Sequence, residues 1–299
     1  MRLRMGMIGG GEGSLIGPVH RMAARLDGLS ELVCGAFSSD PAVSVATGTW
    51  EGLESSRIYS SWQEMISRES ALPEDVRPHF ISVVTPNHLH YGPAKMALEA
   101  GFHVVCDKPL CMSVAEAIDL HETVERTSRL FCLTHNYTGY PMVKRARELV
   151  LGGEIGPVRK VAVEYFQGWL SSPVETTGNR QAAWRSDPAR AGIAGAMADI
   201  GTHAFNLAEY VSGLEVVTLA ADLRSVVPGR VLDDDGSVLV ELALVIVAAH
   251  HICWKYPREN PWRPSSIRFP RAAAPRSEAP RRASRPTART GSGGSRRAG

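Results

Sequence analysis

Arg4-Met5-Gly6-Met7-Ile8-Gly9-Gly10-Gly11-Glu12-Gly13-Ser14-Leu15-Ile16-Gly17 is the stretch whose reading decides the fold. Its first five residues, apolar from Met5 to Ile8, predict a short buried strand. Glycines follow, and then a helical pattern that lasts to about Leu26. Strand, glycine-rich turn and helix is the context that a dinucleotide fingerprint requires. Glycine permits a tight turn and lets the backbone approach a pyrophosphate, while the helix N-terminus offers free N–H groups at the positive end of its dipole. Gly9 and Gly11 supply the first two glycines of the fingerprint and Gly17 the third, after a loop about three residues longer than the usual G-x-G-x-x-G. A flexible glycine loop without a ligand is the alternative reading of the same residues.

Working outward, the alternation continues. Glu31 to Phe37 reads as a second strand, leading into Ser38-Ser39-Asp40-Pro41. In a dinucleotide fold the end of this strand carries an acidic residue that holds the adenine ribose hydroxyls. Ser38 occupies that place, Asp40 follows two residues later, and no Arg follows at once, so both NAD and NADP stay open. Ser61 caps a short helix. His79 to Val84 is a β-rich apolar run that ends in Thr85-Pro86-Asn87-His88-Leu89-His90, with a helix from about Pro93 to Ala100. Gly101 to Val105 is a further strand, running into Cys106-Asp107-Lys108-Pro109-Leu110 before a helix from about Ser113. Leu130 to Thr134 reads as a fifth strand, ending in His135-Asn136-Tyr137. Strands and helices alternating in this way over residues 4–134 predict an α/β fold, a doubly wound parallel sheet with helices on both faces. Three polar turns, Gly9–Gly17, Thr85–His90 and Asp107–Pro109, then share the carboxyl edge of the sheet, where ligands bind in such folds.

The second half follows another rule. Pro141 opens a helix to Leu151, at a position where a missing N–H costs nothing, and Gly152-Gly153 ends it. From Val158 apolar and polar residues alternate through Tyr165, which predicts a long strand. Further on stand Trp184-Arg185-Ser186-Asp187-Pro188 and Asp199-Ile200-Gly201-Thr202-His203. Asp199 and His203 are four apart and would share one helix face, where a carboxylate can orient an imidazole and raise its pKa. The bland alternative is a helix cap and a core histidine. No third metal ligand stands nearby, so no metal is expected. The expected division is residues 1–135 for cofactor binding, 136–250 for an incomplete substrate-binding α/β domain, and 251–299 as a tail.

Composition bounds the rest. The chain has 299 residues, 44% of them hydrophobic, enough for real cores. No apolar run approaches the roughly 20 residues that span a bilayer. The start has no signal-peptide layout, and five scattered cysteines fit a reducing cytoplasm better than a disulfide framework. Residues 257–299 hold 11 Arg, no Lys and 2 acidic residues, a net of +9. The preceding residues hold 22 basic and 29 acidic, a net of −7, which argues against a nucleic-acid-binding body. With seven Pro among so many Arg, Ala, Ser and Gly, the tail is expected to be disordered. Either a natural basic tail or a reading frame lost near residues 240–250 accounts for it; in the second case an inactive product results.

Together these motifs resemble the glucose–fructose oxidoreductase/inositol dehydrogenase (Gfo/Idh/MocA) family over about residues 4–245. The resemblance rests on the glycine turn ending in Gly17-x-x-His20, on Thr85-Pro86-Asn87 with His90, on Asp107-Lys108-Pro109, on Trp184-Arg185 and on Asp199-x-x-x-His203. Asp107 departs conservatively from the usual Glu. The resemblance implies a Rossmann domain for NAD or NADP, followed by an α/β domain with a large open, mostly antiparallel sheet that often mediates homo-oligomers. It implies a sugar, inositol or related polyol as substrate, with no nucleic acid or membrane partner. Lys108 would hydrogen-bond the reacting hydroxyl, His203 would act as general acid/base, and Asp199 would fix His203 or bind a substrate hydroxyl. Gly9, Gly11, Gly17, Ser38, Thr85, Asn87, His90, Asp107 and Lys108 would line the cofactor site, and Asn136, Tyr137, Trp184 and Arg185 would face substrate. An idle NAD(P)-binding regulatory protein on the same fold is the alternative.

Overall fold

The computed structural model of the protein describes residues 2–243. Five strands form one parallel sheet: β1 (Leu3–Gly9), β2 (Ser30–Ala36), β3 (Phe80–Val84), β4 (His103–Cys106) and β5 (Phe131–Leu133), in the order β2-β1-β3-β4-β5. The helices between them are α1 (Ile16–Leu26), α2 (Pro41–Trp50), α3 (Trp62–Ser70), α4 (Tyr91–Glu99) and α5 (Val114–Thr127). Strand alternation sends successive side chains to opposite faces. Met5 and Met7 accordingly pack with Phe37 and Val84 on one face. Ile8, Ile81, Val83, Val104 and Cys106 pack on the other against Met65, Ile66, Ala94, Leu98 and Leu120. The doubly wound sheet expected from the alternation is therefore present, each of the five runs read as strands forming one. A single parallel bridge, Gly35 to Ile58, extends it beside β2.

Local signals acted as written. Ser61 Oγ accepts from Glu64 N–H to start α3, and Ser113 does the same with Glu116 for α5. Pro141 opens α6 (Pro141–Leu151) and Gly152 closes it. Beyond it lie α7 (Arg180–Arg185), α8 (Pro188–Ala191), a π-helical turn (Met197–Gly201) running into α9 (Thr202–Ser212), and an antiparallel pair, β6 (Val216–Arg224) with β7 (Asp235–Leu242). The long strand expected from Val158 is not formed. Residues 158–168 form no regular element and pair with no strand among the described residues, since alternation marks which residues face inward and only a neighbouring strand supplies the ladder bonds. The frame change placed near residues 240–250 and the tail at 251–299 lie at or beyond the end of the described residues.

Candidate active site

The strand order reverses between β1 and β3, and the crevice outside the carboxyl ends of strands at such a point is where α/β sheets bind ligands. The glycine turn leaves β1 there. Gly9 and Gly10 have φ of +83° and +77°, which an L side chain rarely adopts. A Cβ on Gly17 would stand 2.4 Å from Gly10 Cα, and one on Gly11 would stand 2.9 Å from the Phe37 carbonyl oxygen. Glycine is thus required where Gly9, Gly11 and Gly17 were expected to serve, and also at Gly10, which the fingerprint spacing passed over. With three glycines in a row, the sequence leaves their register open. Two further residues escaped sequence reasoning. Arg21, 7% exposed, donates from Nη1 to the Gly10 carbonyl at 2.8 Å and is held by Glu51 at 2.7 Å. Arg180 reaches the loop from the second half, where a Cβ on Gly13 would lie 3.4 Å from its Nη1. Neither has a signal in sequence spacing.

Ser38 follows β2, and its Oγ accepts from Asp40 N–H at 3.1 Å while Asp40 caps α2. The other two turns are bolted together by His90. Its Nδ1 lies 2.6 Å from the Pro109 carbonyl oxygen and its Nε2 lies 2.8 Å from that of Thr85. Burial pulls the His90 pKa below its ordinary value, against the backbone carbonyls that raise it. Thr85 Oγ1 donates to the Leu89 carbonyl, and the buried Asn87 donates from Nδ2 to the Ala191 carbonyl at 2.9 Å. The polar side-chain nitrogens of His90 and Asn87 therefore meet protein carbonyls. A buried polar group must find a partner, and backbone is the one in reach.

Asp107 takes the Thr134 hydroxyl at 2.8 Å and the Lys108 N–H at 2.9 Å on Oδ1, which fixes the turn. From it Lys108 reaches the second half. Its Nζ donates to Asp199 Oδ1 at 2.5 Å and to the Asp199 carbonyl at 2.8 Å. Arg185 Nε stands 3.6 Å from Asp199 Oδ2, with its guanidinium carbon 4.2 Å from the centre of the Trp184 ring. Burial pushes Asp199 up, but Lys108 and Arg185 outweigh it and hold the carboxyl below its ordinary value. Asp199 thus pairs with two cations. The expectation that it fixes His203 gives way to this pairing: its carboxylate is taken by Lys108 and Arg185, and no hydrogen bond from His203 Nδ1 to it is formed.

His203 sits beside this pair. It is 4% exposed, its ring centre lies 4.6 Å from Tyr137 and 5.4 Å from His135, and its Nδ1 has no hydrogen-bond partner among the described residues. Burial, then Lys108 and His135, pull its pKa to about 4, and Asp199 only partly opposes them. The expected rise is therefore a fall, because desolvation disfavours the cation more than one nearby carboxylate favours it. Tyr137, whose phenol is pushed up to about 12 by burial and by Tyr165, meets Tyr165 Oη at 2.7 Å. Asn136 is exposed beside it. The structure brings Lys108, Asp199, His203, Tyr137, Trp184 and Arg185 to one place. Among the described residues no group of three potential ligands could hold a metal ion.

Comparison with known proteins gives the family. Residues 3–135 match a family profile described as an oxidoreductase family with an NAD-binding Rossmann fold, and residues 143–269 match the GFO/IDH/MocA C-terminal domain. The chain is 31% identical over 241 residues to the uncharacterized oxidoreductase YfiI of Bacillus subtilis, covering 80% of this chain and 61% of that protein. It is 29% identical over 242 residues to levoglucosan dehydrogenase of Pseudarthrobacter phenanthrenivorans, covering 79% of this chain and 57% of the relative. The crystal structure of an inositol dehydrogenase homolog from Azotobacter vinelandii, complexed with NAD+, superposes with a TM-score of 0.78 at 36% identity, over 81% of this chain and 62% of that one. The chain thus spans about three fifths of the length of these relatives. With both halves of one family matched in tandem, and its motif residues gathered at one sheet edge, the chain belongs to the Gfo/Idh/MocA family of oxidoreductases.

Proposed function

We propose that this chain is an NAD(P)-dependent oxidoreductase that moves a hydride between a nicotinamide cofactor and a hydroxyl-bearing carbon of a sugar, inositol or related polyol. Residues 1–135 would bind the cofactor and residues 136–250 the substrate. The observation that carries the reading is the meeting of Lys108, from the carboxyl end of β4, with Asp199 at 2.5 Å beside a buried, neutral His203.

The glycine turn fits a dinucleotide fingerprint, because Gly10, Gly11 and Gly17 allow the close strand–turn–helix backbone packing that a Cβ would block. Gly9, Gly11, Gly17, Ser38, Thr85 and Asp107 would hold the cofactor, which when bound supplies a hydride acceptor. NAD is the preferred form, since the exposed Asp40 carboxylate beyond Ser38 suits a ribose hydroxyl and repels a 2′-phosphate. The chain's own residues do the rest. As the carbinol C–H leaves with its electron pair, an imidazole nitrogen of His203 takes the hydroxyl proton. With a pKa near 4, His203 is neutral and free to accept at neutral pH. Lys108 donates a hydrogen bond to the oxygen and stabilises its developing negative charge. Asp199 fixes that ammonium, and Arg185 with Trp184 holds Asp199 from the other side.

The levoglucosan and inositol in the names of the relatives support a polyhydroxylated substrate for this chain too. A panel of sugars and polyols with NAD and NADP, followed by nicotinamide absorbance, tests the proposal. Turnover with at least one polyol, abolished in Lys108→Met, is the expected result. NADH binding without turnover on any polyol would favour the idle regulatory protein.

A further inference from the structure

Lys108 bonds the Asp199 backbone carbonyl, at 2.8 Å, as well as the Asp199 carboxylate, so their meeting depends on where the main chain of the π-helical turn lies. No side chain of its own caps that turn. From Ala191 to Ala198 the sequence reads Ala-Gly-Ile-Ala-Gly-Ala-Met-Ala, without a side-chain oxygen or nitrogen. The first N–H groups of a helical turn have no partner within it. Here the partner comes from the loop between β6 and β7. Asp233 Oδ1 accepts from Gly195 N–H at 2.6 Å and Oδ2 from Met197 N–H at 2.7 Å, while the Asp233 carbonyl accepts from Ala196 N–H at 2.8 Å. One residue thus holds three consecutive N–H groups. Gly195 has room for no side chain, since a Cβ there would collide with the Asp233 carbonyl oxygen. The Asp199 N–H then closes the turn on the Gly195 carbonyl at 3.0 Å. The loop that presents Asp233 is itself braced. Asp234 accepts from Val226 and Val227 N–H at 2.6 and 3.0 Å, and the Arg230 side chain pairs with Asp234 at 3.1 Å and with Glu175 at 2.9 Å.

We propose that Asp233 is a positioning residue for the candidate site: as a cap supplied by a distant loop, it fixes the backbone of the π-helical turn so that Asp199 meets Lys108 and α9 starts with His203 beside them. This rests on the hydride transfer proposed above and adds a residue that acts through Asp199 rather than on the reacting atoms. Hydrogen bonds to a carboxylate are charge-assisted and stronger than those to a neutral acceptor, and a negative charge at this end also favours the helix dipole. Because Asp233 holds main chain, its loss frees the Asp199 carbonyl and carboxylate together, and Lys108 with them. A displacement of about 1 Å in such a site costs about a hundredfold in rate.

The test uses the full chain. Asp233→Ala should lower kcat on an accepted polyol about 10–100-fold and leave NADH affinity unchanged, since the glycine turn belongs to the other half. Asp233→Asn keeps one acceptor oxygen and should fall between the two. NMR titration of the His203 ring reads the same loosening without substrate. Burial and Lys108 hold its pKa at about 4, and in Asp233→Ala it should rise by about one unit as both relax. Glu209→Gln is the comparison. Glu209 Oε1 accepts from Val216 N–H at 3.1 Å near the other end of α9, a bond of the same kind that does not reach the turn. Its loss should leave kcat and the titration as in the wild type. Circular dichroism establishes folding, and Asp233→Asn is read in place of Asp233→Ala if the latter does not fold. A folded Asp233 variant with wild-type kcat and a wild-type His203 titration, or with changes no larger than those of Glu209→Gln, overturns the proposal. No turnover by the wild type on any polyol with either cofactor defeats the proposed reaction instead, and the titration then decides the role of Asp233 alone.

Discussion

Replacing His203 with Gln tests the electrostatics of the site without reference to any substrate. In the unfolded chain this imidazole takes a proton near pH 6.5, but in the folded protein it does so only near pH 4. Between those values the unfolded chain binds the extra proton, so stability falls as pH falls. The contribution is fully present above pH 6.5, is lost progressively below it, and is gone near pH 4. A difference of about 2.5 pKa units corresponds to about 3 kcal/mol. Urea unfolding of wild type and His203→Gln, from neutral pH down to about pH 4, should therefore give curves that converge by about 3 kcal/mol toward acid. His20 and His90, whose pKa values burial also lowers but which do not touch His203, tilt both curves alike and cancel in the difference. NMR titration of the His203 ring supplies the direct check. In Lys108→Met its pKa should rise, because Lys108 is the largest charge holding it down after burial. A His203 that titrates at 6.5 or above in the wild-type protein would refute the reasoning, and with it the claim that the base is neutral at working pH.

Lys108→Met should lower kcat on any accepted polyol by about 10²–10⁴-fold while NADH affinity changes only a few-fold, measured by turnover and by fluorescence titration. Gly17→Ala forces a Cβ to within 2.4 Å of Gly10 Cα; we expect a loss of about 1–3 kcal/mol in unfolding experiments and weakened NADH binding, and wild-type values for both would contradict the close approach. Arg180→Ala should raise the Kd for NADH about 3–10-fold at low salt and much less at high salt, with kcat unchanged, since an exposed guanidinium near a phosphate acts mainly through screened attraction. Asp199 is held below its ordinary value, so its share of stability is present above that value and lost as pH falls through the lower folded one; Asp199→Asn should flatten the acid limb of the unfolding curve below about pH 4.

Much of the first half was legible in the sequence because its causes are local. A strand, a glycine turn and a helix need only neighbours in the chain, as do the Ser61 and Ser113 caps and the Pro141 start. The same local reasoning expected a strand at residues 158–165 that has no partner among the described residues. Ladder bonds depend on another segment, and periodicity carries no information about it. His90 and Asn87 show the same limit from the other side. Their motif was visible, but their partners, Pro109 and Thr85 for one and Ala191 for the other, are a matter of three-dimensional packing.

By itself, then, the sequence determined the layout: a doubly wound sheet with three polar turns on its carboxyl edge, and a set of ionisable residues suited to proton and hydride chemistry. Only the tertiary structure decided how those residues are charged and what each one holds. Lys108 and Asp199 are 91 positions apart, and whether they touch is a property of the packed chain. The pKa of His203 is set by burial and by a lysine supplied from another part of the chain, so its direction reversed once both were in place. Desolvation and Coulomb attraction depend on distance and burial in space, and residue spacing along the chain records neither.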